Sequence, residues 1–184
     1  MIDHQQSLSA LAGFPAPWFV CGGTALDIFL GKSVRPRADL DIGIFRENAE
    51  LLYQHFNLAN FVYMTPGQKH PIQWTGQRLE LPIHEIHITR AGFAYEFLLN
   101  EKAEDQWLYR RNNAITRSLA HAVLLSSFGV PYLAPEIVLL YKSKHMREKD
   151  IVDYQAVRSS LSDEQSAWLL NALQVCYPEG HDWI

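Results

Sequence analysis

Cysteine is scarce. Cys21 and Cys176 are the only two in 184 residues, too few for a disulfide scaffold to stand in for a hydrophobic core. Basic residues are not in excess either: 16 Lys and Arg face 20 Asp and Glu, for a formal charge of −4. That balance excludes a generally basic coat for nucleic acid but leaves room for a local phosphate pocket. No uninterrupted apolar run approaches the ~20 residues that a bilayer-crossing helix needs. The opening MIDHQQSLSALAG lacks the basic start and apolar stretch of a signal peptide. Internal repeats and low-complexity tracts are missing as well. Together these absences lead to the expectation of a soluble chain in a reducing, cytoplasmic setting, with no membrane partner. What is present suits a folded core, with 48% hydrophobic, 12% aromatic and 20% charged residues. A chain of this length buries roughly 70% of its unfolded surface, as one domain or a compact domain with an extension.

Periodicity divides the chain into a mixed front and a helical back. A short helix is expected around Ser7–Leu11 and a buried strand over Trp18–Cys21, ending at Gly22-Gly23. The segment from Thr24 to Gly31 reads as a helix with Ala25, Ile28 and Phe29 on one face. After the basic loop Lys32–Arg37, Asp39–Phe45 alternates as a half-buried strand, with Leu40, Ile42 and Ile44 opposite Asp39 and Asp41. Glu47–Phe56 is expected to be a helix, Phe61–Thr65 a strand, Pro66-Gly67 a turn and Ile72–Thr75 a short strand. Ile83–Ile88 is expected to set Glu85 and His87 on one face. Pro135 suits the first turn of a helix; Glu148–Arg158 forms a second, and Ser162 with Gln165 makes a capping box for a third.

The chemistry concentrates in one run, Val20-Cys-Gly-Gly-Thr-Ala-Leu-Asp followed by Arg35-Pro-Arg-Ala-Asp39-Leu-Asp41. Two glycines between a strand and a helix let the backbone come close to a ligand, and the helix start aims free N–H groups at it, a geometry suited to phosphate. Two carboxylates two residues apart on a strand then make a hard, oxygen-rich site for Mg²⁺. His84 and His87 alternate along their expected strand, so they face opposite sides and do not share one metal. Arg110-Arg111 reads either as a solvated pair or as a contact for an acidic substrate.

In order and spacing, this run resembles the DNA polymerase β-like nucleotidyltransferases. Within them it is most similar to the small aminoglycoside and lincosamide nucleotidyltransferase-like proteins, through Gly22–Asp27, the Gly31–Arg35 loop and Asp39–Asp41. The likeness continues through Tyr132–Lys144 and Arg147–Asp153. It implies an α/β (α+β) nucleotidyltransferase fold, a mixed β-sheet flanked by helices. A catalytic core is expected over residues 1–115 and a C-terminal, mainly helical region over 116–184. It also implies Mg²⁺ held by Asp39 and Asp41, with Glu85 as third carboxylate, either metal ligand or general base. A nucleoside triphosphate, expected to be ATP, would be gripped by Gly22, Gly23, Thr24, Arg35, Arg37 and Lys142. Lys144, Arg147 and Lys149 match further basic positions.

The function expected on these grounds is Mg²⁺-dependent transfer of a nucleoside monophosphate to a hydroxyl of a small molecule, such as an aminoglycoside-like or lincosamide-like antibiotic. A toxin-like transferase acting on a protein or tRNA would share the motif. So would a catalytically inactive nucleotide-binding module, although a dead site need not keep both Asp39 and Asp41. A sugar-nucleotide transferase also uses Asp-x-Asp, but the Gly-Gly turn and the short chain argue against it.

Overall fold

The computed structural model describes residues 8–57, 59–65, 67–68, 70–90 and 93–184. Ser7, where the first helix was expected to begin, and Pro66 of the expected turn lie outside them. Strand β1 (Trp18–Val20) leads into helix α1 (Gly22–Leu30), and β2 (Asp41–Phe45) follows the basic loop. A 3₁₀ turn and α2 (Ala49–His55) precede β3 (Asn60–Tyr63), β4 (Ile72–Gln73), β5 (Glu85–Arg90) and the long β6 (Phe93–Ala103). Then come β7 (Gln106–Leu108), β8 (Thr116–Ser118), α3 (Leu119–Ala122), β9 (Val123–Leu125) and β10 (Pro131–Leu133). Three helices close the chain: α4 (Pro135–Lys142), α5 (Glu148–Val157) and α6 (Asp163–Cys176).

The strands form one ten-stranded mixed sheet in the order β4-β3-β5-β6-β2-β1-β10-β9, with β7 pairing β6 and β8. Two pairings are parallel, β2 with β6 and β1 with β10. The boundary expected at 115/116 falls between the paired strands β7 and β8, and β10 of the later segment lies beside β1. The segment after residue 116 thus contributes three strands as well as α3–α6.

Alternation decides which residues enter the core. Ile42 and Ile44 of β2, Ile86 and Ile88 of β5, and Phe97 of β6 are all fully buried. Each such side chain withdrawn from water contributes about 1.5–3 kcal/mol. Gly43 has no room for a side chain, because a Cβ there would strike the Phe19 ring. Helix α1 ends where Gly31 turns left-handed at φ 65° and its N–H reaches the Asp27 and Ile28 carbonyls. Its most buried positions are Ala25 and Leu26, with Ile28 and Phe29 packed against the core from the side. Both hydrogen bonds of the capping box are present at α6, from the Gln165 N–H to Ser162 Oγ and from the Ser162 N–H to Gln165 Oε1.

Candidate active site

The turn from β1 into α1 and the start of β2 lie side by side, since the Cys21 N–H bonds the Asp41 carbonyl at 2.8 Å. Asp41 is the first residue of β2 and Asp39 sits in the loop just before it, so the strand begins later than its alternation suggests. Parallel pairing sets Glu96 of β6 directly beside Asp41. Ligand oxygens of Asp39, Asp41 and Glu96 all lie within 4.8 Å of one another. The two glycines serve this packing as well as any ligand. A Cβ on Gly22, whose φ is +59°, would fall on the Asp41 carboxylate, and one on Gly23 on the Arg37 guanidinium.

Two of these acids do not ionise freely. Burial and then the charge of Asp39 push Asp41 up to about 6, against relief from Lys142 and Lys149. Burial and then Asp41 push Glu96 up to about 7, with His87 pulling the other way. Both shifts mark a cluster that needs protons or a cation to balance it. That chemistry, all hard oxygen donors, fits a divalent ion such as Mg²⁺.

Glu96 rather than Glu85 completes the group around the aspartate pair. In the antiparallel register of β5 on β6, His87 faces Glu96 while Glu85 faces Leu98, two pairs farther along. Glu85 joins His87 and Glu96 in an adjoining group, with His87 Nε2 3.4 Å from Glu85 Oε1. His84 joins neither group among the described residues; its Nδ1 lies 3.0 Å from the Pro82 carbonyl oxygen. The sequence does hold a trace of Glu96, an acid interrupting the alternation Tyr95, Phe97, Leu99. Nothing local says that this strand pairs with β2.

A cavity of about 410 Å³ opens beside these acids. The residues expected to grip a nucleotide (Gly22, Gly23, Thr24, Arg35, Arg37 and Lys142) all line it, as does Glu96, whereas Glu85 is not among its lining residues. The basic side chains are also engaged elsewhere. Arg35 donates from Nε and Nη2 to Asp153 at 3.1 and 2.9 Å. Arg37 reaches Asp27 at 2.6 and 2.8 Å and Asp153 at 2.9 Å. Lys142 Nζ lies 2.8 Å from Asp150 and 2.9 Å from Asp153. Arg147 closes the network on Asp150 at 2.7 Å. The basic loop is thereby tied to α1 and α5, which fixes the chain just before Asp39. Burial alone would raise Asp150 and Asp153, but their hydrogen bonds from these cations outweigh it and hold both carboxyls below the usual range.

The two sets of acids give opposite pH dependences. Asp41 and Glu96 release protons at pH about 6 and 7 when folded, against ordinary values of 3.8 and 4.5. Between about pH 4 and 7 the folded chain therefore holds protons that the unfolded chain has lost, and stability falls as pH rises through that window. The stability contributed by Asp150 and Asp153 is present above their unfolded values and disappears only on acidification below them. In chelator, the melting temperature is expected to drop by roughly 5–10 °C from pH 5 to pH 8, taking ~2–4 °C per kcal/mol for a chain of this size. Added Mg²⁺ or Mn²⁺ should restore most of the loss at pH 8. A metal-insensitive profile in a pH series of thermal melts would contradict a cation site here.

A family model described as aminoglycoside-2''-adenylyltransferase matches residues 5–157. No curated protein sequence matches the chain. Among solved structures, ANT(2'')-Ia in complex with adenylyl-2''-tobramycin aligns with a TM-score of 0.62 at 16% identity, covering 95% of this chain and 96% of that one. The solution structure of antibiotic-resistance factor ANT(2'')-Ia aligns with a TM-score of 0.63 at 17% identity, covering 96% and 91%. At such identity the structures show a shared fold, and the family model supplies the kinship. The chain belongs to the aminoglycoside-2''-adenylyltransferase family and is an enzyme of the adenylyltransferase class.

Proposed function

We propose that the chain transfers the adenylyl group of ATP to a hydroxyl of an aminoglycoside, with Mg²⁺ as its metal. The observation that carries this reading is the meeting of Asp39, Asp41 and Glu96 beside the start of α1, in one cavity of a chain of this family. Among the described residues, no helix is long and apolar enough to cross a membrane. The resistance factor that shares the fold carries adenylyl-2''-tobramycin in its complex, which makes tobramycin the first acceptor to try.

Asp39 and Asp41, with Glu96 in reach, would hold the divalent ion, which when bound supplies positive charge to the phosphate oxygens. The free N–H groups of Gly22, Gly23 and Thr24 at the first turn of α1 favour an anion. The acceptor oxygen bonds to the α-phosphorus, the bond to pyrophosphate breaks, and the hydroxyl proton passes to a carboxylate. Glu96 suits that last role better than Glu85. It lines the cavity beside the two aspartates, where an acceptor hydroxyl would meet it. Glu85 and His87 stand behind it as positioning residues. Arg35, Arg37 and Lys142, expected from the sequence to touch the triphosphate, would act first by holding the Asp39 loop in place.

Pyrophosphate release is the test. ATP, Mg²⁺ and tobramycin together should give stoichiometric pyrophosphate and adenylylated tobramycin by mass spectrometry, and omission of any one should stop it. Release with other hydroxyl compounds but with no aminoglycoside would replace the acceptor. No release with any triphosphate and any acceptor would remove the transfer reading altogether.

A further inference from the structure

The cations around the cavity are not equivalent. Arg35, Arg37, Lys142 and Arg147 each have a carboxylate partner in Asp27, Asp150 or Asp153. Lys149, also on the wall, is exposed to solvent. Arg110 is different from both kinds. Its side chain is half-buried and lines the cavity, yet among the described residues no hydrogen bond or ion pair reaches it. Its guanidinium lies over the face of Tyr141, 5.7 Å from the ring centre. Glu85 exerts a weak attraction without forming a pair, while Arg111 next door repels.

A guanidinium stays charged in proteins, so Arg110 places a fixed positive charge, partly stripped of water, on the wall of the site. Burial lowers its proton affinity, as expected where no acid offsets the lost hydration. Stacking on an aromatic face recovers part of the cost but leaves the N–H donors at the guanidinium edge unused. The position is also pre-set. The turn carrying Arg110 is closed by the Asn112 N–H on the Tyr109 carbonyl, the Ile115 N–H on the Asn112 carbonyl and the Tyr109 N–H on the Ile115 carbonyl, at 2.9–3.0 Å. Arg111 anchors it further, donating to the Tyr141 carbonyl at 3.2 Å. A rigid turn presenting an unpaired fork of donors fits an oxyanion.

Resting on the transferase reading above, we propose that Arg110 binds an oxygen of the nucleotide's phosphate chain. A polycationic acceptor cannot neutralise a guanidinium, whereas a triphosphate can, and both would occupy the same cavity. Arg110, Tyr141 and the α1 start at Gly22, Gly23 and Thr24 line one cavity, and the guanidinium lies over the Tyr141 ring. A phosphate chain held at the α1 N–H groups would therefore share that cavity with Arg110.

The experiment is calorimetric titration of Mg²⁺-ATP, Mg²⁺-tripolyphosphate and adenosine into the wild-type chain, Arg110→Gln and Arg110→Lys, with inorganic phosphate titrated into each ATP-saturated protein. Thermal melts check that each variant is folded. Arg110→Gln is expected to weaken ATP and tripolyphosphate by about 10- to 100-fold, the range for a lost charge-assisted contact, and to leave adenosine unchanged. Arg110→Lys should recover part of the loss, since it keeps the charge without the flat stacking group. Unchanged ATP and tripolyphosphate affinity in folded Arg110→Gln overturns the assignment. If the variant loses only inorganic phosphate in the ATP-saturated protein, the anion belongs to the acceptor, and the phosphate-chain assignment is likewise overturned. Failure of the wild-type chain to bind any phosphate ligand would overturn the transferase reading and Arg110 with it, whereas normal wild-type binding with unchanged affinity in Arg110→Gln overturns Arg110 alone.

Discussion

Asp41→Asn is expected to lower turnover by about 10³-fold, the order seen when one preorganised charge-stabilising group is removed from a transfer site. The same variant should be more stable than the wild type at pH 8 in chelator. The two effects have one cause. Asp41 is half-buried beside Asp39 and Glu96, and its folded value of about 6 against 3.8 measures how poorly the metal-free site tolerates its charge. At about 1.36 kcal/mol per unit, neutralising it relieves on the order of 2–3 kcal/mol. Asparagine keeps the shape that packs on Gly22 but cannot balance a divalent ion. Activity measured by pyrophosphate release and stability measured by urea unfolding should therefore move in opposite directions. Added Mg²⁺ should stabilise the wild type and leave the variant nearly unaffected. A variant that is both inactive and less stable at pH 8 would mean that Asp41 is a structural acid, held by contacts that asparagine cannot replace.

What the sequence made legible was local. The run from Val20 to Asp41 places a strand, a glycine turn, a helix and an acid pair within one stretch, and the structure brings Asp39 and Asp41 together beside α1. The capping box of α6 was equally readable, because its two hydrogen bonds span only three residues. Glu96 was not readable. Its place depends on β6 pairing in parallel with β2, a contact made only after the chain has run out through β3, β4 and β5 and back. Glu85 attracted attention instead because its own alternating strand is obvious, but the register puts it two pairs away from Asp41's neighbour. The basic residues illustrate a second limit. A sequence shows that Arg35 and Arg37 are cations near the aspartates, but not that Asp153, more than a hundred positions later, is buried against both. A basic loop before a metal motif looks the same whether it faces a phosphate or an acid from another helix.

Asp153 is where that limit becomes measurable. It is fully buried and receives Arg35, Arg37 and Lys142 at once, so Asp153→Ala leaves three cations around an empty site. Removing one partner from a buried ion pair costs about 3–5 kcal/mol, a large share of the 5–15 kcal/mol that holds a typical domain together. The partners should not contribute equally. The Arg37 side chain is 5% exposed and bridges two acids, while that of Arg35 is 22% exposed and meets one. Solvent screens the second pair more, so Arg37→Met should cost more stability than Arg35→Met in urea unfolding at pH 7. The order of the two single variants separates a buried latch from a set of phosphate-binding side chains. If Arg35→Met and Arg37→Met both unfold like the wild type and only their ATP affinity falls, the latch holds nothing and the loop is free to serve the nucleotide. If Arg37→Met loses several kcal/mol and its turnover falls as well, the ion pairs set the position of Asp39, and catalysis depends on α5 through them.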